Sequence, residues 1–172
     1  QDIAREAGLS LATFYACFRS KRELFVAIGA VRHEKLLLDL AAQPSFYQDW
    51  KDFPAPLVVD HLGHMATSHG VEAPGFQGML RLLAEGRCWV KLSGAYRISS
   101  AAHPYPDALA FVTALVQTNP ERLVWGTDWP HPAVQLMPND GDLADLVPLW
   151  LPSEDLREQV LVRNPARLYG FD

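Results

Sequence analysis

Cysteine is scarce in this 172-residue chain, which contains only Cys17 and Cys88. Two thiols so far apart do not make a disulfide framework, and the expectation is a pair of reduced, buried side chains. Long hydrophobic runs are missing too: nothing approaches the ~20 apolar residues needed to span a bilayer. No basic, apolar leader ending in small residues opens the chain, so the sequence reads as a cytoplasmic protein. An excess of positive charge is also absent. Fifteen Lys and Arg face 20 Asp and Glu, for a net −5, and an acidic surface repels nucleic acid. The balance is uneven, however. Residues 1–42 carry +1 and the remainder −6, so only the first segment suits a phosphate backbone. Low-complexity tracts and internal repeats do not occur.

What is present is hydrophobic residue at 49%, enough to build a core, and three segments sharing one plan. Each is a short apolar run that ends in polar groups: Ala55-Pro56-Leu57-Val58-Val59 before Asp60 and His61, Cys88-Trp89-Val90-Lys91-Leu92 before Ser93, and Arg122-Leu123-Val124-Trp125 before Asp128. Parallel α/β barrels deliver catalytic groups in this way, from the carboxyl ends of several strands to one mouth. His61, Ser93 and Asp128 are 32 and 35 residues apart, about the length of a strand, crossover helix and next strand. Helical periodicity fills the gaps, over 75–85 with Phe76, Met79, Leu80 and Leu83 on one face, and over 107–118 with Ala108, Phe111 and Leu115. The inward faces of these strands are expected at Val58, Val90, Leu92 and Val124.

The first forty residues follow another pattern. Asp2 to Ala7 reads as a short helix, Gly8-Leu9-Ser10 as a turn, and Leu11 to Phe18 as a second helix, the arrangement of a helix-turn-helix. Ser20-Lys21-Arg22-Glu23 is a capping box that starts a further helix. These residues, with Thr13-Phe14-Tyr15, resemble the DNA-binding region of TetR-type transcriptional regulators. The resemblance implies Thr13 in the major groove and Tyr15 and Lys21 on phosphates. That family's first helix and its helical ligand domain have no counterpart here. A junction rich in Pro and aromatics covers 43–53, dividing a helix-turn-helix segment at 1–42 from a second domain at 54–172.

Four motifs mark the second domain: Val58-Val59-Asp60-His61-Leu62-Gly63, Val90-Lys91-Leu92-Ser93-Gly94, Trp125-Gly126-Thr127-Asp128-Trp129-Pro130-His131-Pro132, and Asn164-Pro165-Ala166-Arg167-Leu168-Tyr169-Gly170. In this order they resemble the carboxyl-terminal half of amidohydrolase-related TIM-barrel hydrolases, on the branch that includes 2-pyrone-4,6-dicarboxylate lactonase. The fold implied is the last three βα units of a (β/α)8 barrel. The chemistry implied is water attack on a lactone, ester or amide bearing a carboxylate. Asp128 would activate water without a metal, His61 would polarise the carbonyl, and Arg97 beside Tyr96 would grip the carboxylate. Ser93, His64 and His131 would line the mouth. Other relatives place a divalent metal such as zinc between histidines and this Asp, but the superfamily's His-x-His is not found in the chain. With His61 and Asp128 alone, a metal would have two protein ligands where catalytic zinc normally has three. Asn164 and Pro165 are expected to cap the last helix, which Arg167 would tie to the barrel.

Plainer roles stand beside these: a structural hydrogen bond for His61, a helix cap for Asp128, a surface ion pair for Arg97. The chain opens at Gln1 inside a helical pattern, as a piece of a longer protein would. A half barrel would expose strand edges and self-associate. Three readings therefore leave the sequence: a hydrolase, a TetR-like DNA-binding regulator, and a fusion of two partial domains in which neither activity survives.

Overall fold

A computed structural model describes residues 57–171 except 133 and 135, all within one compact unit of the chain, 34–172. The helix-turn-helix with Thr13, Tyr15 and Lys21, the 43–53 junction and Cys17 lie outside the described residues. Three strands, β1 (Leu57–Val59), β2 (Cys88–Leu92) and β3 (Leu123–Trp125), form a parallel sheet in the order β1-β2-β3. Parallel neighbours cannot be joined by a tight turn, so each pair is bridged by a helical crossover. Sequential order with helical crossovers is the plan of a TIM barrel, of which this sheet is an incomplete part.

The first crossover helix, α1 (Pro74–Ala84), begins with Pro at its first turn, where the missing N–H is not needed, and buries Phe76, Met79, Leu82 and Leu83. Gly86, at φ +68°, ends it: the Gly86 and Arg87 N–H groups turn back onto the Leu83 and Leu82 carbonyls at 3.0 and 2.9 Å. After β2 come the short α2 (Ala95–Ile98), a 3-10 turn (Pro106–Ala108) and the second crossover, α3 (Leu109–Thr118). Phe76 of α1 meets Phe111 of α3 edge to face, with ring centroids 4.7 Å apart, a favoured aromatic geometry. Both helices fall within a residue or two of the ranges that periodicity predicts.

Register decides which strand residues face the helices. Val58 pairs with Trp89 and Lys91 with Val124, and paired residues of a parallel sheet point to the same side. Val58, Trp89, Lys91 and Val124 therefore share one face. Val90 and Leu92 lie on the other, in the helix-covered core with Leu57, Val59, Cys88 and Leu123. This corrects the expectation that Val90 and Leu92 point inward with Val58 and Val124. Cys88 is a free, buried thiol whose pKa burial pushes up to about 12, so it is inert.

Beyond β3 a loop leads to α4 (Asp140–Trp150), capped by Asn139, whose Oδ1 accepts from Gly141 N at 2.7 Å. Then α5 (Glu154–Glu158), capped by Ser153, runs through a π-turn (Gln159–Arg163) into α6 (Asn164–Tyr169). Asn164 is not the cap expected of it. Its backbone is helical, at φ −69° and ψ −47°, and its side chain is buried. Nδ2 donates to the carbonyls of Pro120 (2.8 Å) and Leu123 (2.6 Å), and Oδ1 accepts from Gln159 Nε2 at 2.5 Å. The physical reason is Pro165, which would clash with the carbonyl one turn back in a regular helix. The wider π-turn makes room, so the helix continues and Asn164 is released to bind β3. Arg167 does anchor α6, donating from Nη2 to the Glu121 carbonyl at 2.8 Å and lying 5.1 Å over the Trp89 ring.

Candidate active site

Each strand ends by delivering polar groups to one mouth. Behind β1 the chain enters a 3-10 turn (His61–Gly63) that presents His61 and His64. Behind β2 come Ser93, Gly94 and then α2, which carries Tyr96 and Arg97. Behind β3 comes Asp128, and three residues on His131 closes a turn by donating N–H to the Asp128 carbonyl at 2.8 Å. The backbone is forced at these points. His61 (φ 51°), His64 (53°), Asp128 (75°) and His131 (53°) all occupy the left-handed region, where a side chain is strained. Such outliers cluster at active sites because surrounding contacts hold them in place.

Asp128 is the centre. Its Oδ2 accepts from Tyr96 OH at 2.5 Å and from Arg97 Nε at 2.5 Å, while Oδ1 faces His61 Nε2 across 3.6 Å. Burial alone would raise its pKa; the hydrogen bonds from Tyr96 and Arg97 and the charge of Arg97 win, and hold it below the ordinary carboxylate range. Asp128 is thus a carboxylate at neutral pH. His61 shifts the other way from a cation: burial lowers its pKa despite the opposing pull of Asp128, so the ring is neutral. Its Nδ1 lies 3.0 Å from Ser93 Oγ. A carboxylate beside Nε2 favours the tautomer with hydrogen there, Ser93 O–H then donating to Nδ1.

Gly94 makes the arrangement possible. At φ +60° it starts α2, and a Cβ there would lie 2.6 Å from His61 Nδ1 and 2.9 Å from Cγ. Gly94→Ala is therefore expected to push the imidazole off its position. Its kcat/KM should fall by about 10²-fold, the usual effect of an ångström-scale displacement. The matching structural readout is a shift of the His61 ring resonances by NMR.

All seven residues singled out at this mouth come together. His64 packs edge-on against His61, with centroids 4.6 Å apart. Its Nδ1 is buried and without a hydrogen-bond partner, and burial pushes its pKa down to about 4, so it is a neutral wall rather than a charged contact. Tyr96 OH also meets His131 Nδ1 at 3.0 Å, and His131 Nε2 meets Asp140 Oδ1 at 3.0 Å. A cavity of about 650 Å³ lies alongside, bordered by Tyr96, His103, Tyr105, Met137 and Leu143. Sequence reasoning passed over Asp60, Lys91, Asp107 and Asp140. Lys91 Nζ pairs with Asp60 Oδ1 at 2.6 Å. Asp107 accepts from Thr67 Oγ1 (2.6 Å), Ser99 Oγ and Ser100 N (2.9 Å), tying together the loops behind β1 and β2. Only the alternation that puts Lys91 on the face of Val124 could have pointed to one of these.

Among the described residues, the donors do not make up a catalytic metal site. Among the described residues no three His, Cys, Asp or Glu side chains converge as ligands. The His61–Asp128 pair also has the Arg97 guanidinium against its carboxylate, a fixed positive charge where a cation would sit.

Parallel strands in sequential order, with acid, histidine and arginine converging at their carboxyl ends, are the active-site plan of a TIM-barrel fold. Residues 34–171 match the amidohydrolase family, and the chain belongs to it; residues 1–28 match the bacterial regulatory proteins of the tetR family. The 4-sulfomuconolactone hydrolase of Hydrogenophaga intermedia is 43% identical over 118 residues, 67% of this chain and 39% of its own length. The 2-pyrone-4,6-dicarboxylate hydrolase of Comamonas testosteroni is 32% identical over 166 residues, 88% of this chain and 54% of its own. The chain thus spans about half, or less, of the length of these relatives. A solved, ligand-free structure from Agrobacterium tumefaciens superposes with TM-score 0.65 and 35% identity, over 73% of this chain and 46% of that one. An amidohydrolase from Burkholderia multivorans, 25% identical with TM-score 0.59 over 83% of this chain and 51% of its own, was solved with zinc bound.

Proposed function

We propose that this chain takes part in the hydrolysis of an anionic lactone, ester or amide, with Asp128 as general base and His61 as hydrogen-bond donor to the carbonyl. The observation that carries the reading is a division of roles within one carboxylate. Tyr96 and Arg97 hold Oδ2, while Oδ1 and His61 Nε2 face each other at 3.6 Å, too far for a hydrogen bond. Both are left to act on a third oxygen beside them. Water gives a proton to Asp128 as its oxygen bonds to the carbonyl carbon, and the carbonyl electron pair moves onto oxygen, where His61 Nε2–H meets it. Breaking the bond to the leaving group restores the carbonyl as a carboxylic acid, whose proton goes to the departing alkoxide, so that carboxylate and alcohol leave and one proton remains on Asp128.

Arg97 brings positive charge to the mouth and suits a substrate carboxylate or sulfonate, as the relatives named for a sulfonated and a carboxylated lactone suggest. Ser93 orients His61, and Tyr96, His64 and His131 shape the wall. The test is release of acid from a lactone dicarboxylate by the purified chain, followed by pH-stat across a range of protein concentrations. Self-association through strand edges belongs to the same proposal, and light scattering on the same samples reads its mass. Hydrolysis at the uncatalysed rate throughout would count against the reading.

The match of residues 1–28 to tetR proteins supports a second reading, DNA binding through Thr13, Tyr15 and Lys21. Binding would be weak and fall steeply with salt, and Lys21→Ala would lower the salt slope by about one. A gel shift unaffected by salt or by that substitution is the contrary result. A chain that neither hydrolyses nor binds would be the inactive fusion. Among the described residues no helix is long and apolar enough to cross a membrane.

A further inference from the structure

We propose that Asp128, Tyr96, His131 and Asp140 form a proton relay that carries the proton released by ester or lactone hydrolysis from the site to solvent at the start of α4. The proposal rests on the hydrolase reading above and extends it. Ester hydrolysis at neutral pH produces a carboxylate, an alcohol and one proton that has to leave. An amide releases none, because its amine departs protonated, so a built exit route also favours the ester or lactone class of substrate.

The contacts run in series: Asp128 Oδ2 to Tyr96 OH at 2.5 Å, Tyr96 OH to His131 Nδ1 at 3.0 Å, His131 Nε2 to Asp140 Oδ1 at 3.0 Å. The inner members are enclosed, with His131 only 3% exposed, while the Asp140 side chain is 47% exposed. His131 therefore has both ring nitrogens engaged and none for a substrate. Substrate contact would not use these two bonds, whereas a transfer path uses both.

Proton counting supports the same conclusion. With both carboxylates ionised, three contacts need three hydrogens: Tyr96 donates to Asp128, and His131 has to donate from both nitrogens, as imidazolium. With Asp128 protonated, its O–H donates to Tyr96, Tyr96 donates to Nδ1, and a neutral ring donates from Nε2 to Asp140. The two states hold the same three protons and satisfy every contact. They differ only by one proton moved along the chain, from Asp128 to the tyrosine oxygen and from the tyrosine hydroxyl to Nδ1. No hydrogen bond is lost in the move. Water delivers its proton to Oδ1; a half-turn of the neutral carboxyl, no longer an ion-pair partner for Arg97, brings that O–H to Tyr96. Asp140 then takes the Nε2 proton and passes it to bulk water, and the ring, left with its hydrogen on Nδ1, returns to the Nε2–H tautomer by proton exchange with solvent before the next turnover. Among the described residues, the charged or titratable groups in contact with this path are Arg97 and His61 at Asp128, Tyr96 from α2, and Asp140 from α4.

The experiment is ¹⁵N NMR of the histidine-labelled full chain, whose Nδ1 and Nε2 shifts read which ring nitrogen of His131 carries hydrogen whether or not the chain is active. Near-isosteric variants keep the fold. Asp128→Asn should change the proton occupancy of His131 Nδ1, and the same substitution in a Tyr96→Phe background should change it far less. An occupancy indifferent to Asp128, or a change that survives loss of the tyrosine hydroxyl, would overturn the relay. Where lactone hydrolysis is measured, Asp140→Asn should lower kcat several-fold with KM unchanged, and added imidazole buffer should restore it; a kcat unmoved by the substitution overturns the relay as well. Coupling without hydrolysis would refute the hydrolase reading and support the connected path. Hydrolysis without coupling would do the reverse.

Discussion

Asp128→Asn is expected to lower lactone turnover by about 10²- to 10⁴-fold, the contribution of a positioned general base. The amide keeps the shape of the carboxylate and its contact with Tyr96, but it cannot take a proton from water. Retention of more than a tenth of parental turnover would remove Asp128 from the chemistry. The pH profile supplies the sign. A base works only when ionised, so activity is present above its folded pKa and is lost as pH falls through it. Tyr96 and Arg97 hold that pKa below the ordinary carboxylate range against the upward push of burial. The acid limb of the rate should lie correspondingly low. Arg97→Met leaves burial with less opposition, so the limb should move to higher pH; a limb that stays or moves down would show that Arg97 does not tune Asp128.

Asn164→Ala is expected to be the most destabilising single change among the described polar residues, costing about 2–4 kcal/mol. The side chain is 1% exposed and satisfies the carbonyls of Pro120 and Leu123 and the amide of Gln159. Truncation leaves two buried acceptors and one donor without partners, and it unties α6 from β3. Because β3 leads into Asp128, three residues beyond its end, loss of this tie should also slow hydrolysis. Urea unfolding measures the first effect: a midpoint unchanged at constant slope would mean that water or a neighbour replaces the amide, and that Asn164 does not pin the strand.

How far these features could be read beforehand depends on whether the information is local. The three strands and two crossover helices are written in apolar periodicity, and a period of 2 or 3.6 needs no distant partner to be recognised. The strand-terminal motifs likewise placed Asp128, His61, Ser93, Tyr96 and Arg97 at one mouth, because a parallel barrel brings every strand's carboxyl end to the same side. The roles of Asn164 and Asp140 were not local. Each is a polar residue near a helix start, where a cap or a solvated acid is the ordinary outcome, and its actual partner lies in another element.

From the sequence alone, then, came the βα rhythm and the strand ends that gather polar side chains, which follow from spacing and residue type, and the family, which came from the resemblance of four ordered motifs. The tertiary structure decided the rest. Register set Trp89 and Lys91, rather than Val90 and Leu92, on the face away from the crossover helices α1 and α3. The π-turn before Pro165 freed Asn164 to hold β3. The left-handed Gly94 let His61 approach, and the position of α4 set Asp140 against His131. Each is a contact between residues far apart in the chain or a backbone conformation imposed by packing, and its energy exists only once the elements have met.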